Sequence, residues 1–275
     1  MVPIKIIKYI VISVLVIGLG LSAWIYYPKY QIHKIKKQTV EVSATVHKIT
    51  YLDYFRNMKK GEINHLAIGD SVIRGVGAGQ NEDLVNQFSN KLGSQIQKNI
   101  QFQNEGINGI TSGELRELVL EGRFDEEMKK ADIITINVGG NDVLRAAKGQ
   151  NLQNVFQSFG ELQTSFTKNL TDIASRIKSV NPDATIIFLE LYNPLSPSDT
   201  LYSLADQLLP KWNLKLYETA NQYSPSLVIE TTKVINGERP ENLSPDGVHP
   251  NSSGYSAISE LMIYQFKHQY RIDSV

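Results

Sequence analysis

The sequence predicts an α/β fold in which helices cover both faces of an open, parallel, five-stranded sheet. From His65 onward, short apolar runs alternate with longer amphipathic runs, and this alternation is typical of strand–helix–strand units. The short runs are rich in β-branched residues, as strands buried inside a parallel sheet are. A chain of 275 residues is long enough to form one large domain of this class.

The predicted elements follow one another in regular order. The strands are His65–Ile68, Gln101–Asn104, Ile133–Val138, Thr185–Glu190 and Leu227–Glu230. The helices are Glu82–Lys98, Ser112–Glu121, Val155–Val180, Leu201–Tyr223 and Ser253–Tyr270. Ligands bind such sheets beyond the carboxyl ends of the strands, so the polar motifs of an enzyme should follow its strands directly.

The N-terminus predicts a membrane anchor. Residues 1–8 are short and basic, with Lys5 and Lys8, and residues 9–27 form an uncharged apolar run. That run is long enough to cross a bilayer and exceeds the core of about 7–15 residues found in a cleaved signal peptide. We expect an uncleaved anchor that holds the remaining chain outside the cytoplasm at the cell membrane. Secretion after signal cleavage is the alternative.

Residues 28–62 are predicted to form a polar stalk that leads into a catalytic domain at residues 63–275. A short strand is indicated within the stalk by Val40, Val42 and Val46. Four lysines directly after the apolar run oppose the outward orientation, because basic residues favour the cytoplasmic side of a membrane. They are Lys29, Lys34, Lys36 and Lys37.

Composition excludes several classes of function. The 28 basic and 28 acidic residues give a formal net charge of zero, so the chain lacks the basic footprint of a nucleic-acid-binding protein. The chain has no cysteine, which excludes disulfides, thiolate catalysis and cysteine-ligated zinc.

The first strand is followed directly by Gly69–Val72, a Gly-Asp-Ser-Val sequence. A serine at a strand-to-helix turn can expose its hydroxyl at the edge of the sheet, which makes Ser71 a candidate nucleophile. Alternatively, Asp70 or Ser71 only caps a helix. The three glycines that follow lack the Gly-Lys-Ser/Thr of a phosphate-binding loop and are predicted to form a rim of the site. They are Gly75, Gly77 and Gly79.

The second and third strands are followed by glycine-containing segments. Gly109, within Asn104–Ser112, could bring its backbone N–H close to a ligand, although an ordinary Asn-Gly turn explains it equally well. In Val138–Asp142, two glycines precede Asn141. The amide of this side chain is a suitable neutral donor to an oxyanion. A turn with a helix cap is the alternative.

The segment Ser244–Asn251 contains Asp246 and His249, followed by Pro250. A carboxylate three residues before a histidine can hold the imidazole in one tautomer, and the proline keeps the histidine backbone extended. His249 is therefore the candidate general base. The other histidines are His33, His47 and His268, outside the motifs, and His65, predicted to be a hydrogen-bonded core residue.

In order and placement, these four segments resemble the blocks of the SGNH hydrolase (GDSL-like lipase/esterase) family, over residues 64–270. The resemblance implies a flavodoxin-like three-layer α/β/α sandwich. It also implies that Ser71 is the nucleophile, His249 the base and Asp246 the residue that orients the base. The backbone N–H groups of Ser71 and Gly109, with the Asn141 side chain, would form the oxyanion hole.

The implied reaction is two-step hydrolysis of a small-molecule, lipid or glycan ester through an acyl-serine, without metal or organic cofactor. Ile110 departs from the family pattern, since in relatives a polar residue such as aspartate often follows the glycine that corresponds to Gly109. The stretch Leu191–Pro210 is predicted to line or cover the acyl site. The sequence leaves the natural ester and the oligomeric state open.

Three other functions remain open at this point. An acyltransferase or deacetylase of surface glycans would use the same chemistry with another acceptor or substrate. A non-catalytic binder of envelope polymers could use the same scaffold. A metal-dependent phosphoesterase would need a ligand cluster made of Asp70, Asn141, Asp142, Asp246 and His249.

Overall fold

The computed structural model describes residues 4–42, 49–147 and 152–272, with side chains from residue 14 onward except at residues 15, 21, 39–42, 147 and 152–157. The strands are β1 (Ile49–Thr50), β2 (Glu62–Gly69), β3 (Asn99–Gly106), β4 (Ile133–Asn137), β5 (Thr185–Leu189), β6 (Ser226–Ile229) and β7 (Tyr270–Arg271). The α-helices are α1 (Ile4–Val42), α2 (Tyr51–Asn57), α3 (Ser71–Arg74), α4 (Leu84–Ile96), α5 (Ser112–Leu120), α6 (Asp125–Lys130), α7 (Gly140–Ala147), α8 (Leu152–Val180), α9 (Tyr202–Gln222) and α10 (Ser252–His268). Thr231–Lys233 and Pro240–Asn242 form single 3₁₀ turns.

A parallel five-stranded sheet with the order β3-β2-β4-β5-β6 forms the centre of the domain. Separate apolar clusters cover its two faces. Leu115, Phe166 and Trp212 belong to the cluster under α5, α8 and α9, while Phe88 and Phe266 belong to the cluster under α4 and α10. The predicted three-layer α/β/α fold is confirmed, and each predicted strand and helix occurs within a few residues of its expected ends.

Strands β4 and β5 lie inside the sheet, each between two neighbouring strands. Every residue of β4 and β5 is buried, which explains why these segments are continuous apolar runs instead of alternating ones. His65 in β2 is the core histidine that the sequence predicts. Its Nδ1 lies 2.9 Å from Ser89 Oγ and its Nε2 lies 2.9 Å from Thr135 Oγ1. Burial lowers the pKa of His65 to about 3, so the ring is neutral.

At residues 28–62 the structure differs from the predicted stalk. Residues 49–57 belong to the folded domain, because β1 pairs with β7 and α2 buries Tyr51, Leu52 and Phe55. These apolar side chains fill the space beside α10, whereas the stalk prediction followed the charged residues around them. Val40 and Val42 lie in α1, so no strand forms there, and Val46 lies outside the described residues.

Helix α1 is continuous from Ile4 to Val42 and includes Pro28. Its second half packs on the domain through Ile32 and Ile35. Within the described side chains, no helix is both long and apolar enough to span a membrane. The anchor predicted at residues 9–27 falls partly outside those side chains and stays a prediction.

Candidate active site

Ser71 lies at the point where β2 turns into α3. The turn is possible because β2 ends in a glycine. A Cβ on Gly69 would lie 2.1 Å from the carbonyl oxygen of Asn137 in the neighbouring strand. Asp70 donates its N–H to the same carbonyl at 3.0 Å and caps α3 by accepting from Val72 N. Ser71 is thus the first residue of the helix, and N–H groups of a first helical turn have no partner within their helix.

Ser71, His249 and Asp246 form a continuous hydrogen-bonded chain. His249 Nε2 lies 2.7 Å from Ser71 Oγ, across 178 residues of sequence. His249 Nδ1 lies 2.7 Å from Asp246 Oδ2. A nucleophile bonded to a base, and a base bonded in turn to an orienting carboxylate, is the arrangement that activates a serine hydroxyl.

The Asp246 carboxylate is fixed by its own loop. Its Oδ1 accepts from Ser244 Oγ at 2.7 Å, from Val248 N at 2.9 Å and from His249 N at 3.0 Å, which leaves Oδ2 for the imidazole. Desolvation alone would raise the pKa of Asp246, but the hydrogen bonds from Ser244, His249 and Val248 outweigh it and hold the pKa well below its usual range. The carboxylate therefore stays ionised and acts as an acceptor for the N–H of His249.

Neighbouring segments hold this loop in place. Tyr192 donates its hydroxyl to the Val248 carbonyl at 3.0 Å. A Cβ on Gly77 would lie 2.4 Å from the carbonyl oxygen of Pro250, and Gly79 N donates to Ser252 Oγ at 3.0 Å. The glycines after Ser71 therefore support, through close packing, the loop that carries Asp246 and His249.

The two other predicted donors lie on the strands beside β2. Gly109 follows β3 and Asn141 follows β4, and both strands pair with β2. Gly109 has a φ of +77°, and apart from its own chain neighbours no described atom lies within 4 Å of the position of a Cβ there, so this side of the residue is open. Asn141 Nδ2 donates one hydrogen to Ile110 O at 2.9 Å. An amide nitrogen carries two hydrogens, so the second is available to an oxyanion.

Helix α7 holds the Gly109 loop with two further side chains: Arg145, which the sequence analysis missed, and Asp142, which it considered only as a metal ligand. Arg145 Nη2 donates to Gly109 O at 2.7 Å. The Asp142 carboxylate accepts from Ser112 N at 2.9 Å and from Ser112 Oγ at 2.5 Å. Arg145 is four residues after Asn141, so both side chains lie on one side of the helix. That spacing is a signal in the sequence, but it does not identify a backbone carbonyl as the partner.

Asp70 is buried beside the nucleophile. Its Oδ1 accepts from Val72 N and from Asn137 Nδ2, each at 2.9 Å. Desolvation raises the pKa of Asp70 to about 6, although both hydrogen bonds and the nearby His249 act in the opposite direction. Its ionisation at neutral pH therefore costs folding free energy.

Replacing Asp70 with asparagine should remove this cost. Because folding raises the pKa from 3.8 to about 6, the stability contributed by Asp70 is complete below the lower value and lost as the pH rises through the upper one. The native chain should therefore lose up to roughly 3 kcal/mol relative to the D70N variant over this interval. Urea unfolding of both proteins at about pH 4 and about pH 8 measures it. Parallel pH profiles would disprove the assignment.

Asn141→Ala should reduce kcat about 10²–10³-fold and change KM much less, because its free amide hydrogen acts on charge that develops in the transition state. Steady-state kinetics on a soluble nitrophenyl ester measures both constants. Asp142→Asn is the matched control, since it alters the neighbouring contact to Ser112 without removing the donor. An unchanged kcat in N141A would remove Asn141 from the oxyanion hole.

The structure does not gather the residues of the metal-site alternative into a cluster. The oxygens of Asp142 bind Ser112, and Asp70 binds Asn137. Within the described part of the chain, no three His, Asp or Glu residues are placed to hold a metal ion.

The stretch predicted to line the acyl site divides into two parts. Tyr192 contacts the loop that carries His249, so this part of the stretch lies beside the candidate site. Leu208 is buried in α9 and Leu209 packs on the core under that helix, so both contribute to the packing of α9.

Comparisons with known proteins agree with this geometry. Residues 67–257 match the model of the GDSL-like lipase/acylhydrolase family. The spore germination lipase LipC of Bacillus licheniformis is 32% identical over 207 residues, which cover 73% of this chain and 94% of LipC. The crystal structure of the lipase Lip_vut3 from a goat rumen metagenome is 30% identical with a TM-score of 0.66, covering 74% of this chain and 97% of that one. A family 3 carbohydrate esterase of Clostridium thermocellum, 18% identical with a TM-score of 0.53 over 74% of this chain and 94% of its own, shares the fold.

Proposed function

The chain belongs to the GDSL-like lipase/acylhydrolase family, and from that premise we propose that it hydrolyses carboxylic esters at the cell envelope with Ser71 as nucleophile. The observation that carries the assignment of roles is the chain of two 2.7 Å hydrogen bonds from Ser71 through His249 to Asp246. Membership of the family makes the protein a carboxylic ester hydrolase, and the geometry supports the assignment of its residues.

The reaction has two steps of the same kind. His249 Nε2 takes the proton of Ser71 Oγ as this oxygen attacks the ester carbonyl carbon. The resulting oxyanion accepts hydrogen bonds from the N–H groups of Ser71 and Gly109 and from the Asn141 amide, and each such donor contributes about 10²–10³ in rate. The intermediate collapses, the C–O bond to the alcohol breaks, and the protonated His249 gives its proton to the departing alkoxide.

Water then replaces the alcohol and releases the acid. His249 removes a proton from the water as its oxygen attacks the acyl-serine carbonyl carbon. When the second tetrahedral intermediate collapses, Ser71 Oγ regains its proton from His249. Asp246 stays ionised through both steps and stabilises the imidazolium.

The proposed substrates have acyl chains of short to medium length. The candidate lining segment near the site is short, because Leu208 and Leu209 belong to the core. A panel of p-nitrophenyl esters of graded length, beside acetylated sugars and lysophospholipid, tests this proposal. Preference for long-chain triglyceride at an oil interface would contradict it. Faster turnover of acetylated sugars than of any nitrophenyl ester would favour the deacetylase alternative, and loss of activity after chelation would favour the phosphoesterase.

The proposed location rests on the N-terminal half of α1. Val16, Ile17 and Leu19 are 62%, 61% and 70% exposed, and at helical spacing these three side chains point in different directions. A helix that is apolar on all sides is suited to lipid. Protease added to intact protoplasts should digest the C-terminal domain without lysis. Protection of the domain until lysis would place it inside, and a shortened protein in the medium would indicate a cleaved signal.

A further inference from the structure

Helix α1 runs alongside α9 in the same direction. The ammonium group of Lys211 in α9 lies over the ring of Trp24, and further along both helices Lys36 lies 5.0 Å from the ring centroid of Tyr217. Residue numbers rise together in the two pairs, so the helices are parallel. Lys36 also forms an ion pair with Glu230, just beyond the end of β6.

The direction of α9 relative to the sheet follows from its connections. It joins the carboxyl end of β5 to the amino end of β6, and these strands are parallel. Helix α9 therefore starts at the carboxyl edge of the sheet and runs toward the amino edge. Because α1 is parallel to α9, the N-terminal half of α1 points toward the carboxyl edge, where Ser71 follows β2.

Helix α1 is long enough for its apolar N-terminal half to extend past this edge. From Tyr202 to Lys211, α9 covers roughly 13 Å at the rise of an α-helix. From Ile4 to Trp24, α1 covers about 30 Å. Because Lys211 and Trp24 are in contact, α1 extends well beyond the start of α9 on the side of the sheet that carries the active site.

The apolar N-terminal half of α1 is joined to the domain by continuous helix. Helix α1 continues without interruption into the half that packs on the core, where Pro28 is buried and Ile32 and Ile35 contact apolar side chains of the domain. The Lys36–Glu230 ion pair adds a polar contact. The segment predicted as a polar stalk therefore fixes the orientation of the domain relative to the apolar half.

The carboxyl edge also exposes large apolar side chains. Ile107 follows β3, Leu144 lies in α7 after β4, and Leu201 immediately precedes α9 after β5; they are 39%, 54% and 40% exposed. Each lies on a segment that leaves the carboxyl end of a strand, as the active-site residues do. These side chains are suited to contact with the interfacial region of a bilayer.

We infer that the carboxyl edge of the sheet faces the lipid bilayer, so that the active site takes amphiphilic esters presented by the membrane in which α1 inserts. This inference rests on the proposed anchor and on the proposed esterase site. It specifies which edge of the domain faces the lipid and which physical class of ester reaches Ser71.

A pair of labelled variants tests the orientation directly. The chain has no cysteine, so one introduced thiol carries the only thiol-directed label. Ser198 is exposed in the loop between β5 and α9 at the carboxyl edge, and Ser94 is exposed near the end of α4 at the amino edge. Full-length S198C and S94C, each with a fluorophore, are reconstituted into phosphatidylcholine–phosphatidylglycerol vesicles that carry a headgroup quencher. Quenching should be several-fold stronger at position 198.

Equal quenching, or stronger quenching at position 94, would overturn the orientation. Flotation of the same samples with the vesicles reports membrane insertion separately. Failure to float would overturn the anchor and with it the inference, and a dimer that does not float would identify a second copy of α1 as the occupant of the apolar surface. Ester hydrolysis by these samples shows whether the esterase assignment survives independently.

An activity measurement tests the substrate class. Ile32→Asp should release α1 from the domain and lower hydrolysis of a bilayer-embedded fluorogenic ester several-fold, while hydrolysis of soluble p-nitrophenyl butyrate is retained. Tyr30→Asp makes the same change of charge at an exposed position of α1 and should leave both activities unchanged. Unchanged hydrolysis of the embedded ester in I32D, or an equal loss on both substrates, would overturn the inference.

Discussion

Ser71→Ala and His249→Ala are each expected to reduce kcat about 10⁶-fold, and the double variant should be little worse than either single variant. The hydroxyl and the imidazole are 2.7 Å apart and act as one unit in the same proton transfer. Once either group is absent, the other has no partner for that transfer. Residual turnover would come from the oxyanion hole and from substrate binding.

Steady-state hydrolysis of a soluble nitrophenyl ester measures these losses, and thermal unfolding of each variant shows whether the fold is retained. Ser94→Ala, at an exposed serine on α4, is the matched control and should keep full activity. Full turnover by S71A would refute the nucleophile assignment. Losses that multiply in the double variant would show that the two residues act independently.

Asp246→Asn should lower kcat about 10⁴-fold, which is less than the loss in S71A. The Oδ1 position of asparagine can keep the bonds from Ser244, Val248 and His249 N. Its Nδ2 then faces His249 Nδ1 and donates to it, so the imidazole proton moves to Nε2. A ring protonated at Nε2 cannot accept the hydroxyl proton of Ser71, although the oxyanion donors remain.

The matched control for this prediction is Ser244→Ala. It removes the 2.7 Å bond from Ser244 Oγ to Asp246 Oδ1 and leaves the contact between the carboxylate and His249, so kcat should fall far less than in D246N. Equal losses in D246N and S71A would contradict the ranking. Equal losses in D246N and S244A would show that loop geometry, instead of the imidazole tautomer, determines the effect.

Much of the fold could be predicted because it depends on local patterns. The inner strands β4 and β5 are nearly continuous apolar runs and are buried at every residue. The sequence motifs of the site follow strands that are parallel, so their carboxyl ends meet at one edge. At these positions the local sequence pattern agrees with the tertiary structure. The positions of Ser71 and His249 beside one edge of the sheet could therefore be predicted.

The features that the sequence analysis missed depend on contacts between distant segments. Arg145 binds the carbonyl of Gly109, a backbone partner that no side-chain pattern identifies. Residues 49–57 were assigned to a stalk because they lie between a lysine-rich stretch and a charged turn, yet Phe55 is fully buried and stacks on Phe266 of α10. The direction of α1 depends on which helix it packs against, and helical periodicity alone does not specify that partner.

The central claim is that Ser71 forms the covalent intermediate, and phosphonate labelling tests it most directly. An alkyl p-nitrophenylphosphonate transfers its phosphonyl group when a nucleophilic oxygen attacks phosphorus and p-nitrophenolate departs. Intact mass spectrometry of the full-length protein should show one added phosphonyl group, and peptide mapping should place it on Ser71. S71A should gain no mass, and H249A should react far more slowly. An adduct on another residue, or continued ester hydrolysis by the fully labelled protein, would contradict the account.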